Sequence, residues 1–94
     1  MGIKIRMLGV LKKVSGRDEV SLNLDGELKI KEIIKRILEE INTLGDVLLD
    51  PELKDPRPNT IILVNGKDIN LIDCLETRIK DGDEIVLIPV VHGG

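Results

Sequence analysis

Apolar and charged residues alternate over Ile3-Lys4-Ile5-Arg6-Met7-Leu8, and apolar and polar ones again over Val20-Ser21-Leu22-Asn23-Leu24. A period of two sends successive side chains to opposite faces, so each segment predicts a strand buried on one side. Residues 9–16 are less regular, and Ser15-Gly16-Arg17-Asp18 reads as a turn. The first quarter therefore predicts an antiparallel hairpin, ended by Asp25-Gly26. The period then lengthens. Ile30, Ile33, Ile34, Ile37, Leu38, Ile41 and Leu44 recur at helical spacing, which predicts a helix over residues 29–42 with one apolar stripe. Glu32 and Arg36 stand four apart on its wet side, in the favourable order. Leu28 and Lys29 offer no short polar acceptor for an N-cap, so packing must hold this helix. Asn42 and Gly45 are its expected ends.

Residues 45–59 carry Gly45, Pro51, Pro56 and Pro58 among many acids, a long connection expected to hold a short turn near 46–50. Ile61-Ile62-Leu63-Val64 is continuously apolar and predicts a strand buried on both faces. Asn65-Gly66 is a strong two-residue hairpin signal, with a short strand to follow near Lys67-Asp68-Ile69. Residues 71–75 read as a turn or a single helical turn. Asp81-Gly82-Asp83 is a tight turn into Glu84–Val90, whose apolar run Ile85-Val86-Leu87-Ile88 predicts the middle strand of the sheet. A hairpin, one crossing helix and a return into the sheet make an α+β roll. The last strand can pair with the first in parallel, because a helix lies between them in sequence. That order is the ubiquitin-like β-grasp: a mixed sheet of four to five strands with one main helix packed across it. Residues 1–89 are expected to form this domain, and 90–94 a flexible tail ending in Gly-Gly.

Ninety-four residues allow one domain. The core must be aliphatic: 14 Ile, 14 Leu and 8 Val stand beside no Phe, Tyr, Trp or Ala. Without aromatics there is no stacking platform for single-stranded nucleic acid, and a net charge of −3 disfavours a phosphate backbone. No apolar run approaches the roughly 20 residues that span a bilayer, and because the strand pattern starts at once no targeting segment is expected. A cytoplasmic protein without direct nucleic-acid or membrane partners is expected. Charge at 33% in both signs, high Ile and no Gln match hot-adapted proteins, although five Asn run against that. Thermophily is an expectation that a melting temperature tests.

Catalytic chemistry is sparse. His92 is the single histidine, so a nucleophile–His pair would have to use a residue at the very end of the chain. No phosphate-cradling GxxxxGK[ST] or GxGxxG motif occurs. Cys74, the lone cysteine, lies in an apolar stretch with no cation placed to lower its pKa, and reads as a small buried hydrophobe. No bound cofactor, no metal and no catalytic residue are expected, and the chain is not read as an enzyme. The end is different. Gly93-Gly94 carries no side chain, so it can thread a channel too narrow for a Cβ and deliver a terminal carboxylate to a distant active site. Residues 90–94 reach about 16–18 Å when extended. A carboxylate is a poor electrophile until activated, and the chain brings no nucleotide site, so another protein must activate it.

Leu63-Val64-Asn65-Gly66, Leu75-Glu76-Thr77, Lys80-Asp81-Gly82-Asp83-Glu84, Pro89 and Gly93-Gly94, taken in order, resemble the MoaD/ThiS family. That family holds the small subunit of molybdopterin synthase, the thiazole sulfur carrier, and the archaeal small modifiers. Leu11-Lys12-Lys13 and Gly16 are compatible with the same pattern. The tail departs from the family's aromatic-Pro-Pro-Val-x-Gly-Gly, having Ile88, a single Pro89 and Val91-His92. His92-Gly93-Gly94 is more similar to the ubiquitin-related modifier, which combines sulfur carriage for tRNA thiolation with protein tagging.

The resemblance implies that the Gly94 carboxylate is adenylated by a ubiquitin-activating-type enzyme using ATP and Mg²⁺. The adenylate would then become a thiocarboxylate, for a sulfur-accepting enzyme of a molybdopterin, thiazole or tRNA-thiolation pathway, or an isopeptide on a target-protein lysine. Gly93 and His92 would thread the partner's site, with His92 a solvated tail residue rather than an acid–base group. Pro89, Val90 and Val91 would guide the tail's exit and touch the partner, core packing being the other role open to Val90. A plain β-grasp interaction module with an incidental Gly-Gly end is the third reading.

Overall fold

The computed structural model describes residues 2–48 and 60–90. Strands β1 (Gly2–Met7) and β2 (Glu19–Asn23) pair antiparallel, with Ile5 opposite Val20 and Ile3 opposite Leu22. Ile3, Ile5, Met7, Val20 and Leu22 are buried, and Lys4, Arg6, Glu19 and Ser21 are exposed. The alternation in the sequence is thus the alternation of the sheet's two faces.

The link between these strands is a helix, not the irregular arm of a hairpin: α1 spans Gly9–Ser15. Gly9 leaves the strand at φ +56, a left-handed conformation that costs a residue with a Cβ about 1–2 kcal/mol. Leu11 then enters the core with no exposed surface. Gly16, also left-handed, stops the helix with its N–H on the Lys12 carbonyl at 2.9 Å. The bracketing glycines and the basic last turn, Lys12 and Lys13, were signals for it. One buried residue over so short a span carries no readable period.

Helix α2 (Ile30–Glu40) lies inside the expected 29–42 and buries Ile30, Ile33, Ile34 and Ile37. Its N-terminus is better held than Leu28 and Lys29 suggest. The Glu32 carboxylate accepts the Lys29 N–H at 3.1 Å, the returning half of a capping box, and Ile30 donates its N–H to the Thr77 carbonyl at 2.9 Å. Glu32 is thereby engaged toward the helix start, and Arg36 donates to the Asn23 carbonyl at 3.1 Å. Beyond Ile41 the chain tightens into a 3-10 turn at Asn42–Leu44 and a short α3 (Gly45–Leu48). Leu44 and Leu48 are fully buried there. The turn expected near 46–50 is helical as far as Leu48, and 49–50 lie outside the described residues.

A two-residue β3 (Leu28–Lys29) precedes α2 and pairs antiparallel with β6 (Arg78–Ile79), a ladder too short to leave a pattern in the sequence. Strand β4 (Thr60–Val64) turns through Asn65-Gly66 into β5 (Lys67–Asp68), and β7 (Glu84–Pro89) follows. The main sheet runs β2-β1-β7-β4-β5, with β7 in the middle, parallel to β1 and antiparallel to β4. This is the mixed β-grasp sheet with five strands.

The reading of β4 also fails. β4 is not buried on both faces: Thr60, Ile62 and Val64 point into the core, whereas Ile61 is 40% exposed and Leu63 half-buried. β7 repeats this, burying Ile85 and Leu87 while Val86 and Ile88 stay half-buried. One layer of helices covers one face of a sheet, and the apolar residues of the other face are left toward solvent.

Candidate functional site

Pro89 ends β7 directly opposite Thr60 of β4. Its ring lies against the backbone of Gly9, where an added Cβ would stand 2.8 Å from Pro89 Cγ. Leu8 ties the same end to β7, donating its N–H to the Leu87 carbonyl at 3.2 Å. The direction in which the chain leaves the sheet is therefore set by the β1–α1 junction as well as by Pro89. Val90 follows, half-buried. Val91, His92, Gly93 and Gly94 lie outside the described residues.

The strand register builds the surface beside this exit. Ile61 is opposite Ile88, and Leu63 opposite Val86, which in turn neighbours Arg6 of β1. Leu8, 39% exposed, continues the apolar strip beyond Arg6 at the Pro89 end. Toward the other end the same face turns polar, through Lys4, Glu84 and Asn65. A shallow cleft of about 240 Å³ at its flank is lined by Lys4, Arg6, Leu8, Lys12, Asp18, Glu19 and Glu84 among others. An apolar strip rimmed by charges of both signs is the chemistry of a protein-binding surface. Continuous apolar runs in strands of a single-helix-layer fold were the signal for it. By themselves such runs imply double burial, which a fold with helices on one face cannot provide.

The other motif residues hold the scaffold. Asn65 and Gly66 both take positive φ, 51° and 85°, as a two-residue hairpin turn of the primed type requires. The Asn65 amide donates to Asp83 Oδ1 at 3.0 Å and accepts the Glu84 N–H at 3.0 Å, and Asp83 Oδ2 accepts the Lys80 N–H at 2.9 Å. Two turns distant in sequence are thus tied together at the end of β7 away from Pro89. Thr77, buried, donates to the Cys74 carbonyl at 2.7 Å and accepts the Asp73 N–H at 3.2 Å. Glu76 meets Lys29 Nζ at 2.7 Å and Lys31 Nζ at 2.8 Å. Hydrogen bonds from Lys29, then Lys31, hold its carboxyl down to about 2, and Glu76 in turn raises Lys31.

Cys74 is half-buried rather than buried, at φ 50°, with its thiol 3.7 Å from Asn70 Oδ1. Its neighbours Leu71 and Ile72 are exposed, because this stretch forms 3-10 turns at the rim of the sheet. Among the described residues no cluster of His, Cys, Asp or Glu could hold a metal ion, and no helix is long and apolar enough to cross a membrane.

Residues 5–94 match the model of the ThiS family. Ubiquitin-related modifier 1 of Schizosaccharomyces pombe is 30% identical over 104 residues, with all of both chains covered. A protein of Archaeoglobus fulgidus, named in provisional terms as a sulfur carrier, is 27% identical over 97 residues, again with both chains fully covered. Among solved structures, SAMP1 from Haloferax volcanii superposes with a TM-score of 0.84 over 100% of each chain at 20% identity, a likeness of fold.

Proposed function

The chain belongs to the ThiS family of small ubiquitin-like carriers and modifiers, and from that premise we propose that Gly94 is its working residue, activated by a separate enzyme to carry sulfur. The observation that carries this reading is the extent of the family match, which runs through Gly93-Gly94 to residue 94. Its carboxylate attacks the α-phosphorus of ATP, held with Mg²⁺ by a ubiquitin-activating-type partner, and pyrophosphate leaves. Sulfide-level sulfur (HS⁻) then attacks the acyl carbon, the bond to the phosphate oxygen breaks, AMP leaves, and loss of the S–H proton gives a thiocarboxylate for a sulfur-accepting enzyme. In this reading the chain contributes position. Pro89, seated on Gly9, aims the tail, and the strip of Leu8, Ile61, Leu63, Val86 and Ile88 docks the partner while Gly93 and His92 enter its channel. Val90 and Val91 line the exit.

The likeness to ubiquitin-related modifier 1 favours a second reading, conjugation of Gly94 to lysines of target proteins. Both pass through the same adenylate. Mass spectrometry on trypsin digests of protein from the native host separates them. Cleavage after Lys80 releases residues 81–94, which contain no Met, Cys, Lys or Arg. Replacement of oxygen by sulfur at the Gly94 carboxyl, located by fragmentation of that peptide, establishes the carrier, since the peptide has no Met or Cys whose oxidation gives a similar mass gain. Residues 81–94 branched from another protein's lysine establish the modifier. The plain acid alone, with activating enzyme and ATP supplied, would overturn both and leave the interaction module.

A further inference from the structure

The main sheet has two edges, and they differ. β5 is a two-residue strand, whereas β2 is a full strand of five with an unbroken register against β1. Met7 donates its N–H to the Asp18 carbonyl at 2.9 Å, continuing that register. Hydrogen-bonded and non-bonded pairs alternate along an antiparallel ladder, so Val20 and Leu22 bond inward to β1. The N–H and C=O groups of Glu19, Ser21 and Asn23 therefore point away from the sheet. Among the described residues, one of these groups has a partner, the Asn23 carbonyl that accepts Arg36. Natural edges are usually blunted by Pro, Lys or a bulge, and β2 has none of these.

We propose that this edge is a self-pairing surface, on which a second copy of the chain adds its own β2 antiparallel about a two-fold axis at Ser21. The strand is self-complementary in that register. Ser21 meets Ser21 of the second copy, Glu19 meets Asn23, and the outward backbone groups of all three face one another. Val20 meets Leu22 on the core side, and no like charges are opposed. The groove between β2 and α2, about 380 Å³, is lined by Ser21, Leu22, Asn23, Arg36, Glu39 and Glu40. It carries both signs of charge, so two such grooves meeting across a two-fold can set cation against acid. A peptide of one charge sign would be opposed by part of the lining. β1 separates β2 from β7, so pairing leaves Pro89 and Val90 free.

A single strand pair is far below a standard interface, so the dissociation constant is expected to be on the order of 100 µM. Sedimentation velocity on the full chain should show monomer giving way to dimer across that range. Ser21→Pro removes an N–H that faces outward and leaves the β1 ladder intact, so it should stay monomeric with an unchanged circular dichroism spectrum. Ser21→Lys opposes two cations at the axis and tests the same point without a backbone change. Amide NMR shifts on concentration should centre on Glu19, Ser21 and Asn23. A wild-type chain that stays monomeric at about 1 mM overturns the proposal. So does a Ser21→Lys variant that dimerises like wild type, or concentration-dependent shifts confined to Ile61, Val86 and Ile88.

Discussion

Gly9 and Pro89 meet at the point where the chain leaves its last strand, and neither explains the exit alone. A methyl group at residue 9 would press on the Pro89 ring and be forced into a left-handed backbone. Gly9→Ala is expected to lower stability by about 1–3 kcal/mol, read from urea melts. Adding Pro89→Ala should restore only the steric share, since the backbone strain remains. Glu76 supplies the pH-dependent residue. Its carboxyl sits at about 2 in the fold against an ordinary 4.5, so its contribution is complete above 4.5 and is lost as pH falls toward 2. Wild type should melt above Glu76→Gln at pH 7, with the gap closing between those values. The three partners are exposed, so salt should narrow the gap as well. A gap independent of pH would show that the pairing with Lys29 and Lys31 is not its source.

Elements differ in how much of them lies in local pattern. The α2 stripe is a repeated 3.6-residue signal, and four of its isoleucines are buried as that signal demands. Ile33→Ala, at a side chain with no exposed surface, is expected to cost about 2–5 kcal/mol in chemical denaturation. The Asn65-Gly66 turn was equally legible, because few residues other than Gly and Asn accept two successive positive φ angles. Helix α1 and the β3–β6 ladder were not. Each is shorter than the period that would reveal it, and each exists because distant residues receive it: the core around Leu11, and Thr77, whose carbonyl takes the Ile30 N–H.

At the scale of the molecule, the proposed function uses the outer face of the sheet together with the strand end that emerges beside it. Ile61→Lys and Ile88→Lys place charge on that strip without entering the core. Each is expected to raise the KM for adenylation by the activating enzyme on the order of tenfold, followed by pyrophosphate exchange, with the melting temperature nearly unchanged. An unaltered KM would remove the strip from the partner interface. Ser21→Lys, at the far edge, should leave adenylation unchanged, which separates self-pairing from activation.

Binary pattern determined the order of the major elements and the aliphatic core, because periods of 2.0 and 3.6 are properties of single segments, and the continuous apolar run of β7 marked it as the middle strand. It also carried Gly93-Gly94 and the ordered motif that marks the family. Tertiary structure decided which apolar residues remain outside. Ile61, Leu63, Val86 and Ile88 are as hydrophobic as their buried neighbours, and nothing local distinguishes them. Only the packing of all helices on one face does, since a side chain's exposure depends on what covers it. The motif residues Asn65, Glu76, Thr77 and Asp83 show the same division. Their identities were plain in the sequence, but their work of tying separate turns and the start of α2 together depends on partners that only folding brings within hydrogen-bond distance.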